Sequence, residues 1–371
     1  MTKYKFDEIA INSTQKKKPT EEDKVYYIGL EHIDPGCFDV VRWGSDVAPT
    51  GDKLLMQKGD VLFGKRRAYQ RKVAIAPFDG IFSAHGMVLR PNLKVIDANY
   101  FPFFISSDKF METAVRISVG GLSPTINWKD LARQEFELPS LDEQKVLADK
   151  LWAAYRLKEA YKKLLVATDE MVKSQFIEMT GDPRTNPKGW TVKKLPELAS
   201  YSIGLTYKPE QVSESGTIVL RSGNIQSYKI DLTDVVRVDC PIKESIYVQK
   251  DDILMCSRNG SAALVGKVAQ IKEIHEPMTY GAFMTVIRSE YSDFLYLYFQ
   301  SKDFREQVST GKSSTMNQIT QNMLDKISIP LPDGDTRKKL SDILHQADKS
   351  KFELKQCIEH IDKVIKSLIN G

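Results

Sequence analysis

The chain has 371 residues, of which 42% are hydrophobic and 27% are charged, so it is too long for one ordinary core and too apolar to be disordered. No apolar run approaches the roughly 20 residues that a membrane-spanning helix needs, and the first residues lack a secretory apolar stretch, which predicts a cytoplasmic protein. The four cysteines are too scattered to suggest a metal site, and a net charge of +4 permits nucleic-acid binding without indicating it.

The first half of the chain begins with a β-rich part, which we predict as a domain over residues 1–140. Short β-branched and aromatic runs, broken by Gly, Pro and Asp, predict strands in DVLFGK, KVAIAPF and GMVLRP. A helical stretch, YFPFFISSDKFMETAV, follows these strands. The domain is expected to end near Pro139.

A long helix is predicted next, over residues 141–180, with a length of roughly 55–60 Å. Residues that recur every seven positions predict a coiled-coil seam, formed by Ala154, Tyr161, Thr168 and Gln175, with Leu157, Leu164 and Met171 as its second row. Gly181 and Asp182 can stop this helix, and two prolines prevent it from restarting, so residues 181–190 are predicted as a linker.

The second half repeats this order. A second β-rich domain is predicted over residues 191–332, with strands in DILMCS, VGKVAQI and AFMTVIR and a helical stretch in LYLYFQSKDFREQV. A second long helix is predicted over residues 333–371. Its predicted seam consists of Leu340, Ala347, Leu354, Ile361 and Leu368, supported by Ile343, Ser350, Cys357 and Val364.

Five sequence blocks show that the two halves are a tandem duplication. TKYKFDEIA matches TVKKLPELA, YYIGLEHI matches IVLRSGNI, MQKGDVLFGKR matches VQKDDILMCSR, INWKDLARQEFELP matches ITQNMLDKISIPLP, and DEMVKSQF matches DKVIKSLI. The blocks keep one order, with shifts of 189 to 193 residues, which is too long a period for a solenoid. We therefore predict an α+β fold with two pseudo-symmetric mixed α/β domains, joined by a long antiparallel two-helix coiled coil that acts as a ruler between them.

The order of these features resembles the specificity subunit of type I restriction-modification systems. The resemblance covers essentially the whole chain and rests on KGDVLFGKRR, LPSLDEQKVLADKL and MTGDPRTNPKGW, duplicated in order. It implies two target-recognition domains that each read one half of a bipartite, asymmetric site in double-stranded DNA. It also implies helices that set the spacer and dock two copies of a DNA adenine methyltransferase subunit; whether a restriction subunit joins them stays open. One departure is that Glu143 and Gln144 are replaced by Thr336 and Arg337 in the second helix.

The strongest candidate for DNA contact is the basic run after DVLF, because Arg suits guanine and phosphate recognition while Tyr and Gln add stacking or adenine contacts. Its candidate residues are Lys65, Arg66, Arg67, Tyr69, Gln70, Arg71 and Lys72. The equivalent loop of the second half contributes Arg258, Asn259, Ser261 and Lys267. A solvated surface loop is the alternative interpretation of either run.

A second pair of segments, SVGGLSPTIN and STGKSSTMNQ, combines glycines with small hydroxyl and amide side chains that can approach phosphates and bases. Their candidate DNA-binding residues are Ser123, Thr125 and Asn127 in the first half, and Lys312, Ser313, Ser314, Asn317 and Gln318 in the second. Helix-capping loops are an equally good interpretation, since the same residue types are favoured at helix N-termini.

The sequence offers no catalytic, metal-binding or cofactor-binding pattern, and a chain that only recognises DNA is expected to need no cofactor. The five histidines lack ligand spacing, and His85 in FSAHGM is predicted to be a packed strand residue. Two alternatives to a specificity subunit stay open. One is a stand-alone DNA-binding regulator or adaptor that self-associates through its coiled coil, and the other is a nuclease with an unrecognised site.

Overall fold

A computed structural model describes residues 1–309 and 317–370 and divides the chain into two compact units. The first unit comprises Met1–Lys163 together with the residues from Leu354 onward, and the second comprises Leu164–Glu353. The boundaries fall inside the two long helices, α5 (Leu141–Thr180) and α10 (Gly334–Asn370). Each helix therefore contributes to both units.

The first unit contains ten strands and four further helices among its described residues. Its strands are β1 (Thr2–Lys5), β2 (Ala10–Ser13), β3 (Lys16–Lys17), β4 (Tyr27–Ile28), β5 (Lys53–Met56), β6 (Val61–Phe63), β7 (Val73–Ile75), β8 (Gly80–Phe82), β9 (Met87–Pro91) and β10 (Glu135–Leu138). Its helices besides the long ones are α1 (Phe6–Ile9), α2 (Phe101–Ser106), α3 (Asp108–Arg116) and α4 (Trp128–Ala132).

The second unit repeats this order of elements. Its strands are β11 (Thr191–Lys194), β12 (Ser200–Ile203), β13 (Val212–Ser213), β14 (Thr217–Leu220), β15 (Ile225–Gln226), β16 (Lys229–Ile230), β17 (Val236–Val238), β18 (Ile253–Cys256), β19 (Val268–Gln270), β20 (Met278–Tyr280), β21 (Met284–Arg288) and β22 (Ser328–Leu331). Its helices are α6 (Leu195–Leu198), α7 (Ser292–Tyr298), α8 (Lys302–Ser309) and α9 (Gln321–Lys326). The strands predicted from the six apolar runs are confirmed.

Each unit has the same central antiparallel sheet, with strand order β2-β9-β6-β7 in the first and β12-β21-β18-β19 in the second. The strand alternation explains how this sheet is packed, because successive side chains point to opposite faces. Val61 and Phe63 join the core beneath the helices, while Leu62 joins the core shared with the second sheet of the unit. Ile253 and Leu254 divide between two cores in the same way. The duplication predicted from the sequence is thus confirmed as two copies of one layered architecture.

Within each unit the two long helices pack against each other in antiparallel directions. In the first unit, Lys158 of α5 contacts Asp362 of α10 at 2.5 Å, and in the second, Lys351 of α10 contacts Asp169 of α5 at 2.7 Å. Both lysines are buried in the seam, at 9% and 8% exposure. The antiparallel coiled coil predicted from the heptads is confirmed.

The predicted seam register is wrong in part. The buried positions of α5 include Ala148, Leu151, Tyr155, Val172 and Phe176, whereas the predicted second row, Leu157, Leu164 and Met171, is 44%, 50% and 46% exposed. The predicted first row of α5 is only partly buried. The misassignment has a physical cause, since Lys158 and Asp169 occupy seam positions and interrupt the apolar pattern there.

On α10 the predicted row of Leu340, Ala347, Leu354, Ile361 and Leu368 is buried or partly buried, as expected. The supporting row is wrong, because Ser350, Cys357 and Val364 are exposed and Ile343 is only partly buried. The row that packs beside the first one consists of Leu344, Lys351, Ile358 and Ile365. Among the described residues, no helix is both long enough and apolar enough to cross a membrane.

Candidate nucleic-acid interface

The basic run of the first unit forms the connection of a β-hairpin. It joins β6 to β7, and the hairpin closes where the Gly64 N–H donates to the Lys72 carbonyl at 2.9 Å. A single 3₁₀ turn over Ala68–Gln70 forms the tip, flanked by Arg67 and Arg71 in the left-handed region with φ of 56° and 53°. Both arginines hold a conformation that non-glycine residues seldom adopt, so the tip has a defined shape.

The hairpin meets the second predicted segment, and a third segment joins them. Arg66 forms an isolated β-bridge with Thr125, and the Arg67 N–H donates to the Pro124 carbonyl at 2.8 Å. The Arg66 N–H donates to the carbonyl of His85, at 3.1 Å, in the turn between β8 and β9. The structure therefore brings two of the predicted segments together at one end of the central sheet.

The side chains of these segments differ in their exposure and in their hydrogen bonds. The Arg67 guanidinium donates to Ser123 Oγ through Nε at 3.1 Å and Nη2 at 2.9 Å. Tyr69 is 54% exposed, and Gln70 beside it is partly buried. Asn127 is the N-cap residue of α4, where its side chain makes no capping hydrogen bond but donates to Asp130 at 3.3 Å.

Two predicted residues of this run make side-chain hydrogen bonds to other parts of the same unit. Arg71 donates to Asp108 Oδ1 at 2.7 Å and to the Ser106 carbonyl at 3.0 Å. Lys72 donates to the Leu30 carbonyl at 2.6 Å. Both side chains therefore anchor the hairpin to neighbouring segments.

Positive charge accumulates around this hairpin. Burial lowers the pKa of Lys65, and the charge of Lys16 lowers it further. Burial also lowers the pKa of His85, with further contributions from Arg66, Lys65 and Lys53. Neighbouring cations that oppose the protonation of Lys65 and His85 mark a surface where an anion would relieve the repulsion.

The second unit repeats the arrangement with other side chains. Its hairpin joins β18 to β19, and Arg258 forms an isolated β-bridge with Gln318. The Asn259 N–H donates to the Asn317 carbonyl at 3.3 Å, and the Arg258 N–H donates to the Phe283 carbonyl at 3.0 Å. Hairpin, third turn and final segment therefore converge here as they do in the first unit.

The remaining predicted residues of this hairpin lie on either side of that meeting point. The Ser261 N–H donates to Asn259 Oδ1 at 2.9 Å, while Asn259 Nδ2 donates to Ser222 Oγ at 3.1 Å. The carbonyl of Lys267 accepts from the Cys256 N–H at 2.9 Å and closes the hairpin. Three predicted residues, Lys312, Ser313 and Ser314, lie outside the described residues.

Sequence reasoning missed the third turn. His85 was expected to be a packed strand residue, but it is exposed in the turn that precedes β9, with its Nε2 3.3 Å from Arg66 Nη1. The equivalent Phe283 precedes β21 and is 58% exposed, with the Arg258 guanidinium carbon 5.3 Å from its ring centroid. Aligning the strand runs GMVLRP and AFMTVIR between the halves would have paired these two positions.

Among the described residues, one group could offer three metal ligands. Atoms of Cys37, Asp39 and Glu159 lie within 4.8 Å of one another. Cys37 and Asp39 already surround the Tyr155 hydroxyl, which donates to Asp39 Oδ2 at 3.2 Å and accepts from the Phe38 N–H at 2.9 Å. These contacts give the cluster a structural role, in fixing the 35–39 segment against α5.

Comparisons with known proteins point to one family. The type I restriction enzyme EcoKI specificity subunit of Escherichia coli K12 is 29% identical over 198 residues, which are 50% of this chain but 42% of that subunit. This chain therefore spans less than half of that relative. The MjaVIII specificity subunit of Methanocaldococcus jannaschii is 24% identical over 392 residues, covering 95% of this chain and 88% of the relative.

Solved structures share the fold. The type I restriction-modification S subunit from M. genitalium superposes with a TM-score of 0.54 at 16% identity, covering 99% of this chain and 94% of that one. A chain from a structure concerned with complex assembly and conformational transition of the type I R-M system gives a TM-score of 0.59 at 17% identity, covering 99% and 96%. The family model described as "Type I restriction modification DNA specificity domain" matches residues 3–165 and again residues 187–363, one match for each repeat. The chain belongs to the family of type I restriction-modification DNA specificity domains.

Proposed function

We propose that this chain is the sequence-specific DNA-binding subunit of a type I restriction-modification complex, and that each repeat reads one half of a bipartite site. One observation carries the proposal. In a chain of this family, both repeats bring a hairpin arginine, Arg66 or Arg258, to the same meeting point of three segments. Arginine at a strand end is suited to bidentate recognition of guanine, and nearby lysines to phosphate.

The two half-sites should differ, because the two meeting points differ chemically. The first presents Lys65, Arg66 and Arg67 with Tyr69, while the second presents Arg258 with Asn259. Asparagine prefers adenine, whereas a cluster of cations favours guanine and phosphate. An asymmetric target follows from a duplicated fold whose contact residues have diverged.

The Arg66→Ala/Arg67→Ala double variant tests the first half-site. In complex with the methyltransferase subunit, it should bind its duplex more weakly, and the slope of log affinity against log salt should fall by about 0.9 for each phosphate that is no longer neutralised. Arg184→Ala is the matched control, because Arg184 is a linker arginine paired with Asp182 and Glu306 and belongs to neither hairpin. Unchanged affinity and salt slope in the double variant would remove this hairpin from the interface.

A stripe on α5 supports docking of the methyltransferase subunit. Leu157, Leu164 and Met171 are exposed at seven-residue spacing, and the intervening Ala153, Ala160 and Ala167 are exposed as well. Such a stripe is the pattern that one helix offers to another in a coiled coil. The partner expected here is an amphipathic helix of the methyltransferase, with two such subunits in the complex.

Replacing Leu157, Leu164 and Met171 by Lys should abolish co-purification with the methyltransferase while the chain stays folded. Val166→Lys is the control, because Val166 is 65% exposed on another face of α5. If the chain instead self-associates through the stripe without a methyltransferase, the stand-alone regulator is the better description. The exposed stripe is thus the observation that also supports the second candidate function, a self-associating DNA-binding regulator.

Methyl transfer is assigned to the partner subunit, with the target base flipped from the stack, so this chain recognises DNA and performs no chemistry. Cleavage of DNA by the purified chain alone, with a divalent metal, would contradict this assignment.

The long helices are proposed to set the spacer between half-sites. Inserting one heptad into α5 and a matching one into α10 should lengthen the spacer in methylome sequencing, with both half-sites unchanged.

A further inference from the structure

The Arg66–His85 and Arg258–Phe283 pairs occupy equivalent places in the two repeats. Val61 pairs with Leu89 in the first central sheet, and Ile253 pairs with Ile287 in the second. Counting back from Leu89 and from Ile287 by the same number of residues reaches His85 and Phe283. In both repeats the arginine N–H donates to the main-chain carbonyl of its partner, from Arg66 to His85 at 3.1 Å and from Arg258 to Phe283 at 3.0 Å.

The side chains of each pair also meet, although their chemistry differs. Arg66 Nη1 lies 3.3 Å from His85 Nε2, within hydrogen-bond distance of a neutral ring nitrogen. Arg258 lies over the Phe283 ring with its guanidinium carbon 5.3 Å from the centroid, a cation–π arrangement. In each repeat a ring from the third turn restrains the guanidinium, so less side-chain entropy is lost when it binds.

We propose that His85 and Phe283 are positioning residues for the two reading arginines, and that the first repeat, unlike the second, thereby reads its half-site in a pH-dependent way. The proposal rests on the proposed function. Neutral His85 accepts the Arg66 hydrogen bond, whereas protonated His85 has only donors and repels the guanidinium. Phe283 cannot titrate, so its repeat serves as an internal reference.

The charged groups that face His85 give the direction of the effect. They are Lys53 from β5 and Lys65 and Arg66 from the hairpin, all of them cations. These cations favour the neutral His85 ring. Near neutral pH, His85 therefore accepts the hydrogen bond of Arg66, and in acid this hydrogen bond is lost. Protonation adds positive charge as well, which strengthens sequence-independent attraction to phosphate. Discrimination at the first half-site should therefore fall in acid even where total affinity rises.

The experiment measures binding of the complete complex with its methyltransferase at about pH 5 and about pH 8, because the pKa of His85 lies below the usual histidine value of about 6.5. The probes are the cognate duplex found by methylome sequencing and two duplexes with one half-site scrambled. In the wild type, we expect the preference for cognate over scrambled DNA to fall roughly tenfold in acid at one half-site only, the scale of a single arginine–guanine interaction. Arg66→Ala identifies that half-site as the one read by the first repeat.

Exchanging the rings tests the assignment directly. His85→Phe should remove the pH dependence, and Phe283→His should transfer it to the other half-site; each ring already occurs in one copy of the fold. His275→Phe is the control, because His275 is exposed beside Glu273 and belongs to neither hairpin connection. Equal pH dependence in the wild type and His85→Phe would overturn the proposal, whereas failure to prefer cognate DNA at any pH would overturn the proposed function instead.

Discussion

The two repeats differ in strand pairing within one segment of equal length, residues 34–55 in the first and 226–247 in the second. Both repeats contain a short parallel pair, β4 with β8 and β14 with β20. In the first repeat, β5 at the end of the segment pairs with β8. In the second repeat, β17 from the middle of the segment pairs with β14, on the opposite side of the parallel pair.

This difference coincides with a gap in the sequence repeat, since none of the five matching blocks lies in either segment. Matching blocks supply β6 and β18, strands of the central sheet whose side chains divide between two cores. The differing strands extend the second sheet instead, β5 from β8 and β17 from β14. A duplicated fold therefore keeps the strand that is packed between two cores and varies how the second sheet is extended.

The largest expected effect tests the shared part of the comparison. Phe6 and Leu195 open equivalent one-turn helices and are both fully buried. Phe6→Ala should lower the free energy of unfolding of its unit by about 3–5 kcal/mol, and Leu195→Ala by about 2–5 kcal/mol, because each leaves a cavity. Denaturant unfolding checks this, and a small loss in only one repeat would show that the two cores are not equivalent.

A smaller effect is expected at a second shared feature, the aspartate after each QKG or QKD turn. Asp60 binds the Arg90 guanidinium at 2.7 and 2.9 Å, and Asp252 binds that of Arg288 at 2.8 and 2.7 Å. Asp60→Ala and Asp252→Ala should each cost about 2–3 kcal/mol, since a charged hydrogen-bond partner is left behind. Thermal unfolding with a surface variant such as Asp46→Ala as reference would measure it. Values below about 0.5 kcal/mol, the ordinary scatter of surface changes, would count against a shared anchor.

The seam ion pairs should give the next largest effect. Asp362→Asn leaves Lys158 buried without the anionic partner that it contacts, at a cost of about 1–2 kcal/mol. Asp169→Asn should cost less, because Asp348 Oδ1 stays 3.3 Å from Lys351 Nζ. Combining Asp362→Asn with Lys158→Met should recover that loss, because an apolar seam removes the desolvation cost of the charge. Equal losses from the two single variants, measured by chemical denaturation, would contradict this difference between the two seam lysines.

The smallest expected effect concerns Asp108 of the first repeat, which contacts both Arg71 and Lys366. Burial raises the pKa of Asp108, but hydrogen bonds from Lys366 and Arg71 outweigh it, so the pKa is lowered overall. A lowered carboxyl pKa stabilises the fold above the unfolded value and loses that stabilisation as pH falls through the folded value. Asp108→Asn should thus cost less than about 1 kcal/mol near pH 7 and flatten the acid limb below about pH 4. An unchanged acid limb would contradict this role.

Much of the fold and part of the candidate site could be predicted from the sequence. The six strand runs and both long helices followed from apolar patterning and from helix stops such as Gly181, which has φ of 77°. The basic run Lys65–Lys72 could be singled out from its composition and its position after the strand DVLF. His85 and Phe283 could not be found in this way, because their importance comes from a turn distant in sequence that reaches the hairpin.

The sequence by itself determined that a domain is duplicated, which runs are strands, and where the long helices begin and end, because these depend on local periodicity and on chain-breaking residues. Tertiary structure alone decided which face of α5 is buried, since Lys158 and Asp169 can enter a seam only when Asp362 and Lys351 pair with them. It also decided that Leu157, Leu164 and Met171 stay exposed. A heptad pattern predicts an apolar stripe, but only the neighbours of the helix decide whether that stripe is already covered.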